Sequence, residues 1–235
     1  MKMHLKRLNM PRTWQVERKT IKFITRPCPG PHKLNNCITL DFMLKEFLKY
    51  AKIRKEVKHV LNNGKILVDK RQIKDYKFPI GLMDVIDVVE LNEHYRILLD
   101  ENGKFVMAKI SKDNSGMKFC KIIGKTVLKK NKVQLNFVDG RNIIVDKDGY
   151  KVGDTAIIDL NTGKIKKHLK LEQGASVMLT AGKHIGKVGV VEKLNQYDGM
   201  RESTIIFKDA EGSVETLKEY CYVIDKDLRG KHEGD

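Results

Sequence analysis

The spacing of apolar residues predicts two helices between residues 39 and 62. Apolar side chains recur there every three or four positions, which is the repeat of one helix face. Thr39 is a suitable N-cap, and Asp41 adds a negative charge to the first turn, where it is favourable. A break near residues 52 and 53 starts a second helix that ends at Asn63-Gly64, because glycine readily adopts the closing left-handed conformation. The residues predicted to face inward are Leu40, Leu44, Phe47 and Leu48, followed by Val57, Val60 and Leu61.

Strands are predicted at 65–68 and 84–89, and from Tyr95 to Leu171 the apolar repeat shortens to two, which predicts a series of further β-strands. Turn signals such as Asp139-Gly140 and Asp148-Gly149 separate the segments. Short, evenly spaced strands of this kind indicate a small barrel or sandwich. The predicted strands are 65–68, 84–89, 95–99, 105–110, 119–128, 133–138, 142–146, 155–159, 164–169, 176–179, 187–192, 203–208 and a long one over 214–224.

Residues 1–39 have neither repeat. Prolines at 11, 27, 29 and 31 interrupt them, and proline cannot continue a helix. We therefore expect a basic, extended arm that becomes ordered on a partner. Trp14, the single tryptophan, is predicted to be a packing residue rather than a platform for base stacking. The last residues, 225–235, are polar and expected to be frayed.

The charge is strongly positive and unevenly distributed. The chain has 46 Lys and Arg against 30 Asp and Glu, a net charge of +16. Residues 1–39 have a net charge of +8, 40–100 of +2, 101–173 of +8 and 174–235 of −2. Such a balance predicts a polyanionic partner. The hydrophobic content of 41% is that of a folded chain rather than a basic tail.

Other classes of protein are disfavoured. No apolar stretch approaches the roughly 20 residues of a membrane span, and residues 1–8 lack the apolar region of a secretory signal. Cys28, Cys37, Cys120 and Cys221 form no CxxC pair, so we expect reduced thiols in a cytosolic protein. His32 lies between two of them, but a metal site would need a fourth partner. We expect no cofactor, metal, membrane or small-molecule substrate.

Two local clusters are candidate phosphate-binding sites. One cluster surrounds the second helix. Basic side chains beside a helix start could hold phosphates together with free backbone N–H groups. The cluster comprises Lys52, Arg54, Lys55, Lys58, Lys65, Lys70 and Arg71. The other is the segment 181–191, where glycines allow close backbone approach and Lys183, His184 and Lys187 add donors. It is not a nucleotide-triphosphate loop, because Val188 follows the lysine where Ser or Thr is needed.

No catalytic motif is visible. The seven histidines are scattered, and neither GxSxG nor HExxH occurs. An RNA-modifying enzyme would need a catalytic aspartate in the β region, such as Asp139 or Asp146, but both flank a hairpin turn and are expected to be solvated. We therefore predict that the protein is not an enzyme.

The order of these features resembles the small-subunit ribosomal protein family S4e of archaea and eukaryotes, over essentially the whole chain. Its N-terminal signature is similar to His4-Leu-Lys-Arg-Leu, Pro11-Arg-Thr-Trp14, Arg18-Lys19 and Arg26-Pro-Cys-Pro-Gly-Pro-His32. Leu40-Asp41, Ala51-Lys-Ile-Arg54 and Asn63-Gly-Lys-Ile-Leu-Val68 resemble an S4-type RNA-binding α-L module. That pattern usually ends Val-Asn-Gly, whereas this chain has Val68-Asp69-Lys70. Gly186 matches the hallmark glycine of a KOW module.

The resemblance implies a multi-domain α+β protein with a small α-L helix–helix–strand module, a central β-barrel-like domain and a C-terminal SH3-like KOW barrel. The expected domains are the arm at 1–39, the α-L module at 41–104, the central β domain at 105–172, the KOW domain at 174–207, and closing strands and tail at 208–235. The implied function is a structural constituent of the small ribosomal subunit, in the cytoplasm, with ribosomal RNA and neighbouring small-subunit proteins as partners.

The candidate RNA-binding residues lie in the three segments that the resemblance places on RNA. They are Lys6, Arg7, Arg12, Arg18, Lys19, Arg26, His32, Lys52, Arg54, Lys55, Lys58, Lys65, Arg71, Gly182, Lys183, His184, Gly186 and Lys187. Two alternatives remain at this stage. One is a KOW-containing transcription or translation factor that binds RNA transiently, and the other is an RNA-modifying enzyme that carries an α-L module.

Overall fold

The computed structural model describes residues 4–17, 21–146, 148–197, 202–209 and 212–225. This part of the chain consists mainly of antiparallel β-sheet with few helices. Its contacts define two compact units. The first runs to Leu98 and includes Lys104–Gly116, and the second consists of Leu99–Gly103 and the chain from Met117. Arg18 and Lys19 lie outside the described residues.

The first unit combines a five-stranded sheet with short helices and two small two-stranded sheets. The five-stranded sheet has the order β5-β4-β7-β8-β9, and the smaller sheets pair β1 with β2 and β3 with β6. The strands are β1 (Leu5–Lys6), β2 (Phe23–Ile24), β3 (Cys37–Thr39), β4 (Ile66–Val68), β5 (Arg71–Gln72), β6 (Pro79–Gly81), β7 (Val85–Val88), β8 (Glu93–Leu99) and β9 (Phe105–Lys109). The helices are α1 (Leu40–Phe42), continued by a π-helical turn over Met43–Phe47, α2 (Arg54–Asn62) and α3 (Lys112–Ser115).

The two predicted helices are confirmed. The Thr39 hydroxyl accepts a hydrogen bond from the Phe42 N–H at 3.3 Å, which caps α1 as predicted. The chain leaves the helix after residue 47 and re-enters it at Arg54. Gly64 follows α2 with a φ of +69°, the left-handed conformation that its position after Asn63 predicted. Leu40, Leu44, Val57 and Leu61 are buried, whereas Phe47, Leu48 and Val60 are only partly so.

The N-terminal segment differs from the predicted arm, because much of it packs on its own unit. Trp14 is 2% exposed, and its indole Nε1 donates to the Cys37 carbonyl oxygen at 2.7 Å, so its predicted packing role is confirmed. Farther on, the Cys28 N–H donates to the Lys77 carbonyl oxygen at 3.0 Å. A Cβ at Gly30 would lie 2.6 Å from Pro79 Cγ, so only glycine allows this close approach. Local proline content predicted the irregular backbone but not these distant contacts.

The second unit contains two five-stranded antiparallel sheets. The central sheet has the order β12-β11-β10-β13-β14 and encloses a core of Cys120, Ile122, Val133, Leu135, Phe137, Ala156 and Ile158. The C-terminal sheet has the order β18-β17-β16-β15-β19 and encloses Leu171, Val177, Leu179, Val191, Ile205, Phe207, Cys221 and Val223. The strands are β10 (Met117–Val127), β11 (Val133–Phe137), β12 (Asn142–Val145), β13 (Thr155–Asp159), β14 (Ile165–Leu169), β15 (Ser176–Leu179), β16 (Val188–Asn195), β17 (Thr204–Asp209), β18 (Gly212–Leu217) and β19 (Cys221–Val223).

The prediction of one long strand over 214–224 is wrong. A single helical turn at Lys218–Tyr220 ends β18, and β19 then pairs with β15 instead of continuing beside β17. The turn brings the end of the sheet back to its other edge. Of the helices in the described ranges, none has the length and apolar character needed to cross a membrane.

Candidate nucleic-acid interface

Three cations of the first unit surround one aromatic ring. Arg54 and Lys58 lie one turn apart on α2, so both side chains project from the same helix face. The Arg54 guanidinium carbon and Lys58 Nζ each lie 5.2 Å from the centre of the Tyr76 ring, and Lys77 Nζ lies 5.7 Å from it. We call these four residues the Tyr76 cluster. Cation–π contact stabilises each charge on the ring, but the three positive charges repel one another.

A buried carboxylate fixes the position of Arg54. Asp41 is 3% exposed, and its Oδ2 accepts a hydrogen bond from the Thr25 hydroxyl. Arg54 Nε lies 4.0 Å from the same oxygen, and Nη2 donates to Thr25 Oγ1 at 3.1 Å. Lys45 also binds Asp41, at 2.9 Å. One carboxylate thus faces two cations, and the Arg54 side chain remains 53% exposed for an external anion.

The start of α2 carries an acidic side chain that the predicted phosphate site did not take into account. The Glu56 carboxylate accepts hydrogen bonds from the backbone N–H groups of Lys52 at 2.7 Å and Ile53 at 3.3 Å. These two bonds hold the pKa of Glu56 below its usual value. Two N–H groups just before the helix are therefore occupied, and the negative charge of Glu56 stands at the helix start, where it disfavours a phosphate. The side chains of Lys52 and Lys55 are exposed, so their own charges remain accessible.

Beyond α2, the predicted residues differ in accessibility. Arg71 is exposed on β5, at the edge of the five-stranded sheet. Lys65 is paired with Glu90 at 2.7 Å. Lys70 binds the buried carboxylate of Asp87 at 2.9 Å. Of Lys65, Lys70 and Arg71, only Arg71 is exposed, so it is the most accessible of the three to RNA.

The N-terminal candidates are also unequal. Lys6 and Arg12 are exposed, and Arg26 is partly buried. Arg7 Nη2 donates to the Val16 carbonyl oxygen at 2.8 Å. His32 Nε2 lies 2.9 Å from Asp84 Oδ2, and the histidine side chain is only 4% exposed. His32 therefore has little surface to offer to RNA, because tertiary packing covers it with a residue 52 positions away.

The glycine-rich loop of the second unit lies between β15 and β16. Gly182 and Lys183 are exposed, and His184 is partly so. Lys187 Nζ lies 3.5 Å from Asp209 Oδ2. Gly186 is buried, and a Cβ there would lie 2.0 Å from the Asp100 carbonyl oxygen. Gly186 therefore permits backbone packing within the unit, whereas Gly182, Lys183 and His184 form its accessible tip.

Some lysines of the central sheet and of the loops beside it are paired with carboxylates of their own unit. Five of them have a carboxylate within 3.3 Å. Four of these carboxylates lie within residues 101–173 and are already subtracted in that segment's net charge of +8, so the pairs show which side chains are engaged and leave the positive excess in place. The pairs are Lys118–Asp139, Lys125–Asp148, Lys132–Asp146, Lys166–Asp159 and Lys167–Asp225.

The two aspartates considered for catalysis have different surroundings. Asp146 is exposed, as expected, and lies 3.3 Å from Lys132 Nζ. The expectation of a solvated Asp139 is wrong, because its side chain is 3% exposed between Lys118 Nζ and Arg141 Nε, each at 3.1 Å. Burial alone would raise the pKa of Asp139, but the two cations and the Arg141 N–H lower it overall. Asp139 is thus a structural anion. The described residues also contain no group of three or more His, Cys, Asp or Glu arranged to hold a metal ion.

Sequence reasoning missed Tyr76 and Lys77. The run Lys74-Asp-Tyr-Lys77 places an aromatic residue among lysines, which is a recognisable but weak signal of nucleic-acid binding. Its relation to α2 could not be read from the sequence, because more than twenty residues separate Arg54 from Tyr76.

Comparisons with known proteins agree with the resemblance. Residues 91–165 match the Ribosomal family S4e, and residues 1–35 match the RS4NT (NUC023) domain. The small ribosomal subunit protein eS4 of Methanosphaera stadtmanae is 38% identical over 224 residues, covering 95% of this chain and 92% of the relative. That of Methanococcus vannielii is 40% identical over 235 residues, covering 95% and 94%. The crystal structure of the 30S ribosomal protein S4e from Thermoplasma acidophilum is similar with a TM-score of 0.69 and 30% identity, covering 80% of this chain and 95% of the other.

Proposed function

The chain belongs to the S4e family of small-subunit ribosomal proteins, and from this premise we propose that it is a structural constituent of the small ribosomal subunit that binds and holds ribosomal RNA. The observation that carries the binding mode is the Tyr76 cluster, in which Arg54, Lys58 and Lys77 converge on one ring. A phosphate beside the ring would relieve their mutual repulsion. Because phosphates carry no sequence information, this site would position the RNA rather than read its bases.

We place the RNA contacts on the accessible side chains of three segments. The N-terminal candidates Arg18 and Lys19, outside the described residues, are kept on the resemblance alone. His32, Gly186, Arg7, Lys65 and Lys187 are left out, because burial, backbone packing or an existing partner occupies each of them. The proposed contacts are Lys6, Arg12, Arg18, Lys19 and Arg26; Lys52, Arg54, Lys55, Lys58, Arg71, Tyr76 and Lys77; and Gly182, Lys183 and His184.

We also assign two RNA-binding modules of the S4e family to this chain. The unit of α1, α2 and the sheet around β4 supports an S4-type α-L module, and the antiparallel sheet of β15–β19 with its glycine loop supports a KOW module. S4e is a family of ribosomal proteins rather than of enzymes. We infer that this chain performs no catalysis, works on cytoplasmic ribosomes, and has neighbouring small-subunit proteins and ribosomal RNA as its partners.

Sedimentation tests the ribosomal assignment. A tagged copy of the full chain should travel with the small subunit and its precursors when a cell lysate is centrifuged through a low-salt gradient. Protein confined to the top of the gradient would contradict the assignment.

Salt dependence tests the binding mode. When a protein binds nucleic acid, the logarithm of the affinity falls with the logarithm of the salt concentration by about 0.7 per phosphate contact for single strands and about 0.9 for B-form duplexes. The triple variant R54Q/K58Q/K77Q should bind in vitro transcribed small-subunit ribosomal RNA more weakly and with a slope reduced by roughly two to three. A wild-type slope of only about two in total would instead favour a transient KOW-containing factor.

The matched control removes the same number of charges elsewhere. K109Q/K166Q/K170Q replaces lysines that already have a carboxylate nearby, namely Glu93, Asp159 and Glu172 at 2.7, 3.2 and 3.8 Å. Its slope should stay close to that of the wild type. Equal slopes for the two triple variants would mean that bulk charge, and not the Tyr76 cluster, binds the RNA.

A further inference from the structure

The short ribbon of β1 and β2 presents an aromatic side chain to solvent. Successive residues of a strand point to opposite faces. Leu5 and Ile24 are register partners and are buried at 5% and 7%, so their neighbours Lys6 and Phe23 lie on the outer face. Phe23 is 52% exposed there. A single exposed apolar side chain is common on a protein surface, so the meaning of this ring depends on the side chains around it.

The surroundings of Phe23 are cationic. Lys22 Nζ lies 5.6 Å from the ring centre, and Lys6 is its cross-strand partner. The His4 ring lies edge-on to it at 5.5 Å between centroids. In the described residues 4–17 and 21–26, five side chains are basic and Glu17 is the only acidic one. The exposed ring is thus framed by positive charge on the same ribbon.

This combination favours RNA over protein as the occupant. Cores of protein–protein interfaces are depleted in lysine, because burying an ammonium group is costly. An unpaired nucleotide suits this surface, because its flat base can stack on the Phe23 ring and the phosphates on either side can bind the lysines. A base-paired helix has its bases already stacked, so it offers the ring nothing.

We propose that Phe23 is a stacking platform for an unpaired base of RNA, with Lys6 and Lys22 binding the phosphates that flank it. This inference rests on the proposed function, since it names one of the contacts through which ribosomal RNA would be held. It also gives the N-terminal segment a base contact in addition to its charge contacts. The single tryptophan does not serve this purpose, because Trp14 is buried.

Three substitutions separate stacking from other contacts. F23W keeps an aromatic face, F23L keeps apolar bulk without one, and F23A removes both. With small-subunit ribosomal RNA of Methanococcus vannielii as the probe, F23W should bind like the wild type, whereas F23A and F23L should both lose about 5- to 150-fold in affinity. L91A, at an exposed apolar residue outside the ribbon, is the matched control and should bind normally.

F23W also supplies a fluorescence signal. Its emission should be quenched by single-stranded oligoadenylate or oligouridylate and much less by an RNA duplex of equal length. The wild-type emission, which comes from buried Trp14, should change little with either probe. Circular dichroism of each variant establishes that the loss of binding is not a loss of fold.

The outcomes distinguish the two levels of the proposal. If F23L binds as tightly as the wild type, the ring makes apolar contact only, and the stacking inference is overturned. If all variants bind like the wild type, or if the duplex quenches F23W as strongly as single strands, it is overturned as well, while ribosomal RNA binding stands. If the wild type itself does not bind ribosomal RNA, the proposed function fails.

Discussion

The backbone of Gly186 lies so close to the carbonyl group of Asp100 that no side chain fits between them. A Cβ at position 186 would lie 2.0 Å from the Asp100 oxygen and 2.5 Å from its carbon. Gly186 also has a φ of +82°, in the left-handed region. Two independent constraints therefore select glycine: the left-handed backbone at position 186 and the close packing against the turn at residues 100–103 of the second unit.

Replacing Gly186 by alanine should lower the stability of the fold far more than the same replacement at Gly182, in the same loop. G182A has a similar φ of +87°, but its Cβ would lie 3.4 Å from the Tyr220 ring. We expect G182A to cost about 1–2 kcal/mol for the left-handed alanine, and G186A to cost roughly 3 kcal/mol or more because overpacking adds to it. Urea denaturation measures both. Similar losses for the two variants would show that the contact with Asp100 is relieved at little cost.

The turn between β4 and β5 forms without the expected glycine. Asp69 and Lys70 have φ values of +50° and +63°, which residues with a Cβ adopt at a cost. The turn is held because Asp69 Oδ1 accepts from the Val85 N–H at 3.0 Å, and Lys70 Nζ binds Ser115 Oγ at 2.8 Å and Asp87. K70A loses the two contacts of the Lys70 ammonium and keeps the left-handed backbone strain. K70G loses the same two contacts but releases the strain, because glycine adopts a positive φ freely. K70G should therefore be about 1 kcal/mol more stable than K70A in urea denaturation, and the reverse order would refute the strain.

Lys121 makes the stability of the second unit depend on pH. Its ammonium donates to the carbonyl oxygens of Glu219 and Cys221, and burial lowers its pKa from 10.5 to about 8. Below pH 8 both folded and unfolded chains bind the proton. Between pH 8 and 10.5 only the unfolded chain binds it, so the free energy of unfolding rises with pH in this window. The stabilising effect of a neutral Lys121 is complete above pH 10.5 and is lost as pH falls through 8.

The comparison with K121M isolates this effect. The difference in unfolding free energy, wild type minus K121M, should rise by about 1.4 kcal/mol per pH unit within that window. Urea denaturation at pH 7.5, 8.5 and 9.5 measures the slope. A difference that does not change with pH would mean that the lysine is solvated in the folded chain.

Asp139 is expected to matter for stability rather than for chemistry. D139N would leave the buried Lys118 without its carboxylate, and loss of one partner of a buried ion pair costs about 3–5 kcal/mol. D146N removes the exposed partner of Lys132 and should cost less than about 1 kcal/mol.

Because the pKa of Asp139 is lowered on folding, its contribution to stability is present above the unfolded pKa of 3.8 and is lost as pH falls through the lower folded pKa. D139N should therefore flatten the acid limb of the stability curve, and a stability equal to that of D146N would contradict the buried pair.

Local sequence determined much of the secondary structure. The Thr39 cap, the helix ending at Gly64 and most strands follow from side-chain spacing and from the conformations that glycine and proline allow. These signals act over fewer than ten residues, so they survive without knowledge of the fold. The prediction of a single strand over 214–224 is wrong, because the alternation of apolar and polar residues does not reveal the short helical turn at Lys218–Tyr220.

The sequence alone also contains the total charge and the resemblance to S4e proteins, and both point to RNA. What the sequence could not determine was which charged groups remain available. His32 and Asp139 look accessible in a linear reading, yet residues 52 and 21 positions away cover them.

Only the tertiary structure decided where the cations gather and where they cancel. It brought Tyr76 and Lys77 to Arg54 and Lys58, and it paired five lysines of the central sheet and its loops with carboxylates. It also turned Phe23 outward while burying Ile24. The physical reason is that charge–charge energy and solvation depend on distance and burial in three dimensions, which the order of residues along the chain does not contain.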